Sequence, residues 1–139
     1  MLSLSMIVRD EEQQLGACLE SVKGFCDELV VVDTGSTDNT IAIAKEAGAR
    51  VEEIEWPGDF TPARNKALEF VNGDWVLVLD ADELLLDSVK PALQALMAQP
   101  DVLVINLLRY EDGAVQSPYS SVSRLFRKQQ SSGAGPITR

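Results

Sequence analysis

Gly73-Asp74-Trp75-Val76-Leu77-Val78-Leu79-Asp80-Ala81-Asp82-Glu83 decides the fold. Trp75 to Leu79 is a short, unbroken apolar run, and a run of that kind predicts a strand buried on both faces. Such strands belong to mostly parallel sheets covered by helices. The run stops at Asp80-Ala81-Asp82-Glu83. Ligands of open α/β sheets bind just past the carboxyl ends of the strands, so this acidic turn is placed at the ligand edge. A lone D-x-D after a strand is ordinarily an acidic turn, but two carboxylates one residue apart can also converge on a hard divalent cation that bridges to phosphate.

Outward from this strand the same pattern repeats. Leu2–Val8 and Leu29–Val32 are further apolar strands, the second closed by Asp33, and Val51–Ile54 is a third. Between them, Leu15, Cys18, Leu19 and Val22 recur at helical spacing, preceded by Asp10, Glu11 and Glu12 where a helix start favours acids and followed by Gly24. Ile41, Ala44 and Ala47 form the inner stripe of a second helix, capped by Ser36 or Thr37 and stopped at Gly48. Thr61-Pro62 predicts the start of a third, with Ala63, Ala67, Leu68 and Val71 facing inward and Asn72-Gly73 ending it. A further helix over about 89–97 and a strand over 102–108 follow. Glu111-Asp112-Gly113 is a hairpin turn, and strand character returns at 122–126. No internal repeat or linker divides the chain. The expectation is one α/β domain over residues 1–130 and a Ser- and Gly-rich flexible tail over 131–139.

The 139 residues carry 45% hydrophobic side chains and a net charge of −10. That balance fits a globular domain and argues against nucleic acid as a partner, since phosphate backbones need basic surfaces. An anionic small ligand would need a cation or a local arginine to offset the field. There is no histidine, and Cys18 and Cys26 are the only cysteines. Two cysteines without histidine argue strongly against a zinc site, Cys18 reads as a small core hydrophobe, and any metal must be held by oxygen, which points to Mn²⁺ or Mg²⁺. No apolar run reaches the ~20 residues of a membrane span, and Met1–Val8 lacks the basic start and cleavage site of a signal peptide, so a cytoplasmic protein is expected.

Beside Asp80 and Asp82, three residues stand where a ligand would lie. Arg9 follows the first strand. Asp33 ends the second, where a carboxylate can accept from a ribose or a base N–H, or simply hold a turn. Arg64, next to Asn65, falls in the first turn of the third helix, where it can meet a phosphate or a base, or make a weak surface ion pair.

Four stretches then occur in order: Ser5–Glu12 (SMIVRDEE), Val30–Thr40 (VVVDTGSTDNT), Asp59–Leu68 (DFTPARNKAL) and Gly73–Glu83. Together they resemble the family 2 glycosyltransferases of the GT-A fold, most nearly the branch containing bacterial lipopolysaccharide-core and related transferases. The likeness runs from residue 2 to about 127. It implies that Asp33 contacts the nucleotide base with Arg9 beside it, that Arg64 approaches the base or diphosphate, that Asp80 holds the ribose, and that Asp82 ligates Mn²⁺ or Mg²⁺. The implied reaction is inverting transfer of a sugar from a nucleoside diphosphate donor, UDP-linked by expectation, to an acceptor hydroxyl. A metal would stabilise the leaving diphosphate and a carboxylate base would assist the attack. The acceptor is a glycan, a lipid-linked saccharide or a protein, and relatives that use lipid-linked acceptors imply association with the inner face of the membrane.

The chain departs from that pattern at its end. The family's base lies in a later acidic motif, and this branch carries a His/Glu segment after a strand like Ser123–Arg127. Here no histidine exists and no carboxylate follows Asp112. The catalytic base is therefore unassigned, and an incomplete C-terminal part is expected. Asp10 stands where relatives commonly have Asn. The alternative is a nucleotide-binding or assembly module without turnover. A dinucleotide-binding fold is disfavoured because Val8–Glu12 has no glycine, and a phosphatase-like hydrolase because its D-x-D would come near the chain start.

Overall fold

The computed structural model of the chain describes residues 1–107, 110–111, 114–115 and 124–128. Along it run β1 (Leu2–Val8), α1 (Leu15–Val22), β2 (Glu28–Asp33), α2 (Thr40–Glu46), β3 (Arg50–Glu53), α3 (Phe60–Leu68), β4 (Trp75–Val78), α4 (Lys90–Met97), β5 (Val104–Asn106), β6 (Tyr110–Glu111), β7 (Ala114–Val115) and β8 (Arg124–Arg127). The main sheet has the order β3-β2-β1-β4-β8-β5. β1 to β4 are parallel, whereas β8 runs antiparallel between β4 and β5. The expected parallel sheet thus forms its first four strands, and a late antiparallel strand closes it.

The strands alternate between two cores, as side chains on a strand must. Leu2, Leu4, Met6 and Val8 of β1, with Val31, Trp75 and Leu77, face the side packed by Leu15, Cys18, Leu19 and Val22 of α1, Ala44 of α2 and Leu93 of α4. Val30, Val32, Val76 and Phe126 face the other side, packed by Ala67 and by Val71 beyond α3. Val30–Val32 and Trp75–Leu77 lack a period of two because both faces are covered, and in β1 the alternating Ser3 and Ser5 are buried as well. The helix beginnings differ from expectation. α2 starts at Thr40 with Asn39 before it, so neither Ser36 nor Thr37 is the cap. α3 starts at Phe60, capped by Asp59, whose Oδ1 accepts from the Phe60 amide at 2.7 Å. Thr61 is therefore not the cap, and Arg64 lies past the first turn. Asp10, Glu11 and Glu12 precede α1 by several residues and belong to a loop.

Cys18 and Cys26 are both free and buried. The short pairing of β6 with β7 brackets residues 112 and 113, the expected turn. Those two residues and the tail over 131–139 lie outside the described residues.

At the amino ends of β1 and β2, Glu28 acts as a strap. Its carboxylate accepts from Ser3 Oγ at 2.6 Å, the Asn72 amide at 2.8 Å and Asn72 Nδ2 at 2.7 Å. Burial works to raise its pKa, but these bonds and the charge of Arg50 outweigh burial and hold the carboxyl below its ordinary value. Gly73 is wedged beside this strap. Its amide donates to Ser3 Oγ at 2.9 Å, and a Cβ there would lie 2.6 Å from that oxygen and 2.7 Å from the Met1 carbonyl oxygen. Gly73→Ala is expected to cost roughly 1–3 kcal/mol through overpacking, read by urea denaturation. The lowered pKa of Glu28 means its stabilisation is present above the ordinary carboxyl value and is lost as pH falls through the lower folded value. Denaturation midpoints followed from neutral pH into the acid range should therefore fall more steeply for the native chain than for Glu28→Gln.

Candidate functional site at the strand ends

The helices change sides of the sheet partway along the chain. α1 and α2 cover one face, and α3, which leads from β3 back to β4 beside β1, covers the other. The winding thus reverses between β1 and β4, and open α/β sheets bind ligands in the crevice outside the carboxyl ends at such a point. Arg9 follows β1 and Asp80 follows β4, so they flank it directly. Asp33 ends β2 opposite Val8, at the same edge. β2 and β4 are both neighbours of β1, so their axes are separated by about 10 Å, two strand spacings. Asp33 and the Asp80–Glu83 turn therefore share one end of the sheet.

Asp33 is buried, at 1% exposure, and already works within its own loop. Its Oδ2 accepts from the Gly35 and Ser36 amides, each at 2.9 Å, and its Oδ1 accepts from Ser36 Oγ. An ionised carboxylate has about four acceptor positions, so capacity for one more donor remains. The loops after β1 and β2 interlock around this turn. The Asp10 amide donates to Ser36 Oγ and the Thr37 amide to Asp10 Oδ1, both at 2.8 Å. The Glu11 amide donates to Thr40 Oγ1 at 2.8 Å, and Asp38 accepts from the amides of Glu12 and Thr40 and from the Thr40 hydroxyl. Asp10 adopts a positive φ of 52°, a conformation Asn and Asp tolerate better than most residues.

After β4, Asp80 and Asp82 are exposed while Ala81 and Glu83 turn inward. Glu83 Oε1 accepts from the Asp80 amide at 2.7 Å, and the Glu83 amide donates to the Asp80 carbonyl at 3.0 Å. The Cys18 thiol, 3.6 Å from the same carbonyl, is pushed up to about 12 by burial first and then by Glu83, Asp82 and Asp80, so it stays protonated and donates. Glu11 is raised as well, by burial and then by the charges of Asp82, Asp80 and Asp38. The loop after β1 therefore brings a carboxyl within electrostatic reach of the acidic turn. That residue reads in the sequence only as a helix-start acid, because its approach depends on the interlocked loops.

Arg9 is exposed at the end of β1. Arg64 is half-buried on α3 with its guanidinium 5.3 Å from the centre of the Phe60 ring, and Phe60 meets Trp56 edge-on at 5.1 Å. Both rings are exposed, at 55% and 36%, so the arginine is steadied by an aromatic pair that stands in solvent. Phe60 and Arg64 are four residues apart on α3 and so share a face, whereas Trp56 precedes the helix and meets Phe60 from the loop.

The donor set at this edge is wholly oxygen. Among the described residues no three acidic or cysteine side chains are grouped so as to enclose an ion by themselves. Two exposed carboxylates one residue apart suit a hard divalent cation that takes its remaining ligands from phosphate and water, as Mg²⁺ commonly does.

The chain belongs to the family described as Glycosyl transferase family 2, which matches residues 3–137. It is 52% identical over 128 residues to a TPR repeat-containing protein of Synechococcus elongatus, covering 92% of this chain and 32% of that relative. The fold is that of S. aureus TarS, with a TM-score of 0.76 at 20% identity, over 91% of this chain and 46% of that one. Glucosyl-3-phosphoglycerate synthase of Mycobacterium tuberculosis, solved with UDP, matches at a TM-score of 0.68 and 21% identity, over 91% and 56%. A further structure of that synthase holds Mn²⁺ and UDP-glucose and matches at 0.63 and 24% identity, over 75% and 42%. The chain thus spans between a third and just over half of these proteins, and its sheet is that of a GT-A glycosyltransferase.

Asp33→Ala leaves two amides and a hydroxyl without their acceptor. It is expected to destabilise the domain by about 1–3 kcal/mol in urea denaturation, and Asp33→Asn, which keeps an acceptor oxygen, by less.

Proposed function

We propose that this chain is the donor-binding part of an inverting glycosyltransferase that moves a sugar from UDP, with a divalent cation, to an acceptor hydroxyl. The observation that carries this is the arrangement at the winding reversal: Asp80 and Asp82 exposed beyond β4, Arg9 beyond β1 and Asp33 beyond β2, all at one end of the sheet. Asp33 is assigned to the base, using the acceptor capacity its loop leaves over, with Arg9 alongside. Arg64, held by Phe60, is assigned to the base or diphosphate. Asp80 is assigned to the ribose and Asp82 to Mn²⁺ or Mg²⁺. When bound, such an ion supplies Lewis-acid stabilisation of the leaving diphosphate. In an acidic chain it also offsets the repulsion that a diphosphate would meet.

The complexes of the mycobacterial synthase with UDP, and with Mn²⁺ and UDP-glucose, support this ligand class at the level of the shared fold. The acceptor is left as a hydroxyl of a glycan, a lipid-linked saccharide or a protein, and action at the inner face of the membrane belongs to the same proposal. No described helix is long and apolar enough to cross a membrane.

A ligand bound to the native state alone raises its melting temperature. UDP with Mn²⁺ is expected to raise the midpoint of thermal unfolding above that with UDP in EDTA. Asp82→Asn should abolish that increment while melting as cooperatively as the native chain. No manganese-dependent increment in the native chain, across UDP and UDP-sugars, would refute the proposal.

A further inference from the structure

The acidic turn has two members that face solvent and one that does not. Glu83 is 9% exposed, and its carboxylate reaches back to the amide of Asp80 while its own amide donates to the Asp80 carbonyl. The first and fourth residues of the turn are thus tied reciprocally, side chain to backbone and backbone to backbone, as in a helix capping box, although Leu84–Leu86 directly after it are not helical. The turn is also tied to α1 at both ends. Cys18 Sγ lies against the Asp80 carbonyl at 3.6 Å, and the Leu85 amide donates to Ser21 Oγ at 3.0 Å, whose hydroxyl in turn donates to the Cys18 carbonyl at 2.6 Å.

Burying a carboxylate among other acids is costly unless its bonds repay it, and hydrogen bonds to an ionised acceptor are among the stronger ones. With the Asp80 amide held, the directions of Asp80 and Asp82 are fixed relative to α1 and the end of β4. A ligand pair needs such fixing, because groups that orient metal ligands commonly govern affinity nearly as much as the ligands do.

We propose that Glu83 is a positioning residue. Through its hydrogen bond to the Asp80 amide it sets the geometry in which Asp80 and Asp82 meet a divalent cation and a nucleoside diphosphate, without itself contacting either. This rests on the donor-binding function proposed above. What it needs from Glu83 is an acceptor oxygen at the right reach, not a charge at the ion.

Three variants separate these: Glu83→Gln keeps an acceptor at the same reach, Glu83→Asp keeps the charge but is one methylene short, and Glu83→Ala keeps neither. Binding of UDP is measured by calorimetry with Mn²⁺ and again in EDTA, and exchange of the Asp80 amide is followed by NMR without ligand. The expected result is slow Asp80 exchange and near-native manganese-dependent affinity in Glu83→Gln. Glu83→Ala and Glu83→Asp should show fast exchange and a loss of roughly 10- to 100-fold in UDP affinity with Mn²⁺, and a clearly smaller loss in EDTA, where only the contact of Asp80 with the ribose is affected. If Glu83→Asp keeps the manganese-dependent affinity and Glu83→Gln loses it, Glu83 acts through its charge and the proposal fails. It fails equally if affinity in EDTA drops in parallel, which marks a general loss of structure, or if Asp80 exchanges no faster in Glu83→Asp. Should Glu83→Ala not fold, the Gln and Asp pair decides alone. Absence of any manganese effect in the native chain, with Asp80 exchange still slowed by Glu83, overturns the donor-binding function instead and takes the positioning role with it.

Discussion

Parallel strands all finish at the same edge of their sheet, and the loops that leave them carry backbone amides with no ladder partner. Buried amides of this kind must be paired by something. Here short acidic and hydroxyl side chains do it. Asp33 gathers the amides of its own turn, Asp10 and Thr40 receive or give bonds across to the neighbouring loop, and Glu83 returns to Asp80. The ligand edge is therefore built from residues that also hold it in shape. The strongly acidic composition follows partly from this, since carboxylates are the side chains with the most acceptor positions per atom.

That double use explains which parts of the molecule could be read in the sequence. Val30–Val32 and Trp75–Leu79 were legible because they have no polar alternation, the mark of a strand covered on both faces, whereas Leu2–Val8 was legible by its apolar content even though Ser3 and Ser5 alternate with Leu2, Leu4 and Met6. The acidic turn after β4 was legible for the same reason, as a break in an apolar run. The helix starts were not. Ser36 and Thr37 have the chemistry of caps, but Asp33 and Asp10 recruit them first. Thr61-Pro62 is a good start signal, yet Asp59, two residues earlier, has the extended backbone a cap needs. Local preference offered several equivalent caps, and contacts between loops chose among them.

Glu28 and Glu11 were beyond reach for another reason. Each is an ordinary charged residue beside an element, and what acts on it is distant in sequence: hydrogen bonds from Ser3 and Asn72 for the one, burial and the repelling charges of Asp82, Asp80 and Asp38 for the other. Nothing local distinguishes them from solvated acids. The antiparallel insertion of β8 was equally hidden, since Arg124-Leu125-Phe126-Arg127 is a brief strand signal without direction. Its place beside β4 is set by pairing at both of its edges, with Lys128 following it to reach the carbonyls of Leu68 and Val71 near the end of α3.

The position of β8 has a consequence for how the chain acquires its shape. Among the described residues β5 joins the sheet only through β8, although it is made earlier, and no other described strand pairs with the outer edge of β4. During synthesis, therefore, β1 to β4 can assemble while one row of backbone groups still faces water, open to pairing with any passing extended chain. Closure requires a long excursion through α4 and the β6–β7 pair to return, and distant pairings of that sort are slow. The vulnerable interval for aggregation falls after the apolar half has formed and before its last strand arrives.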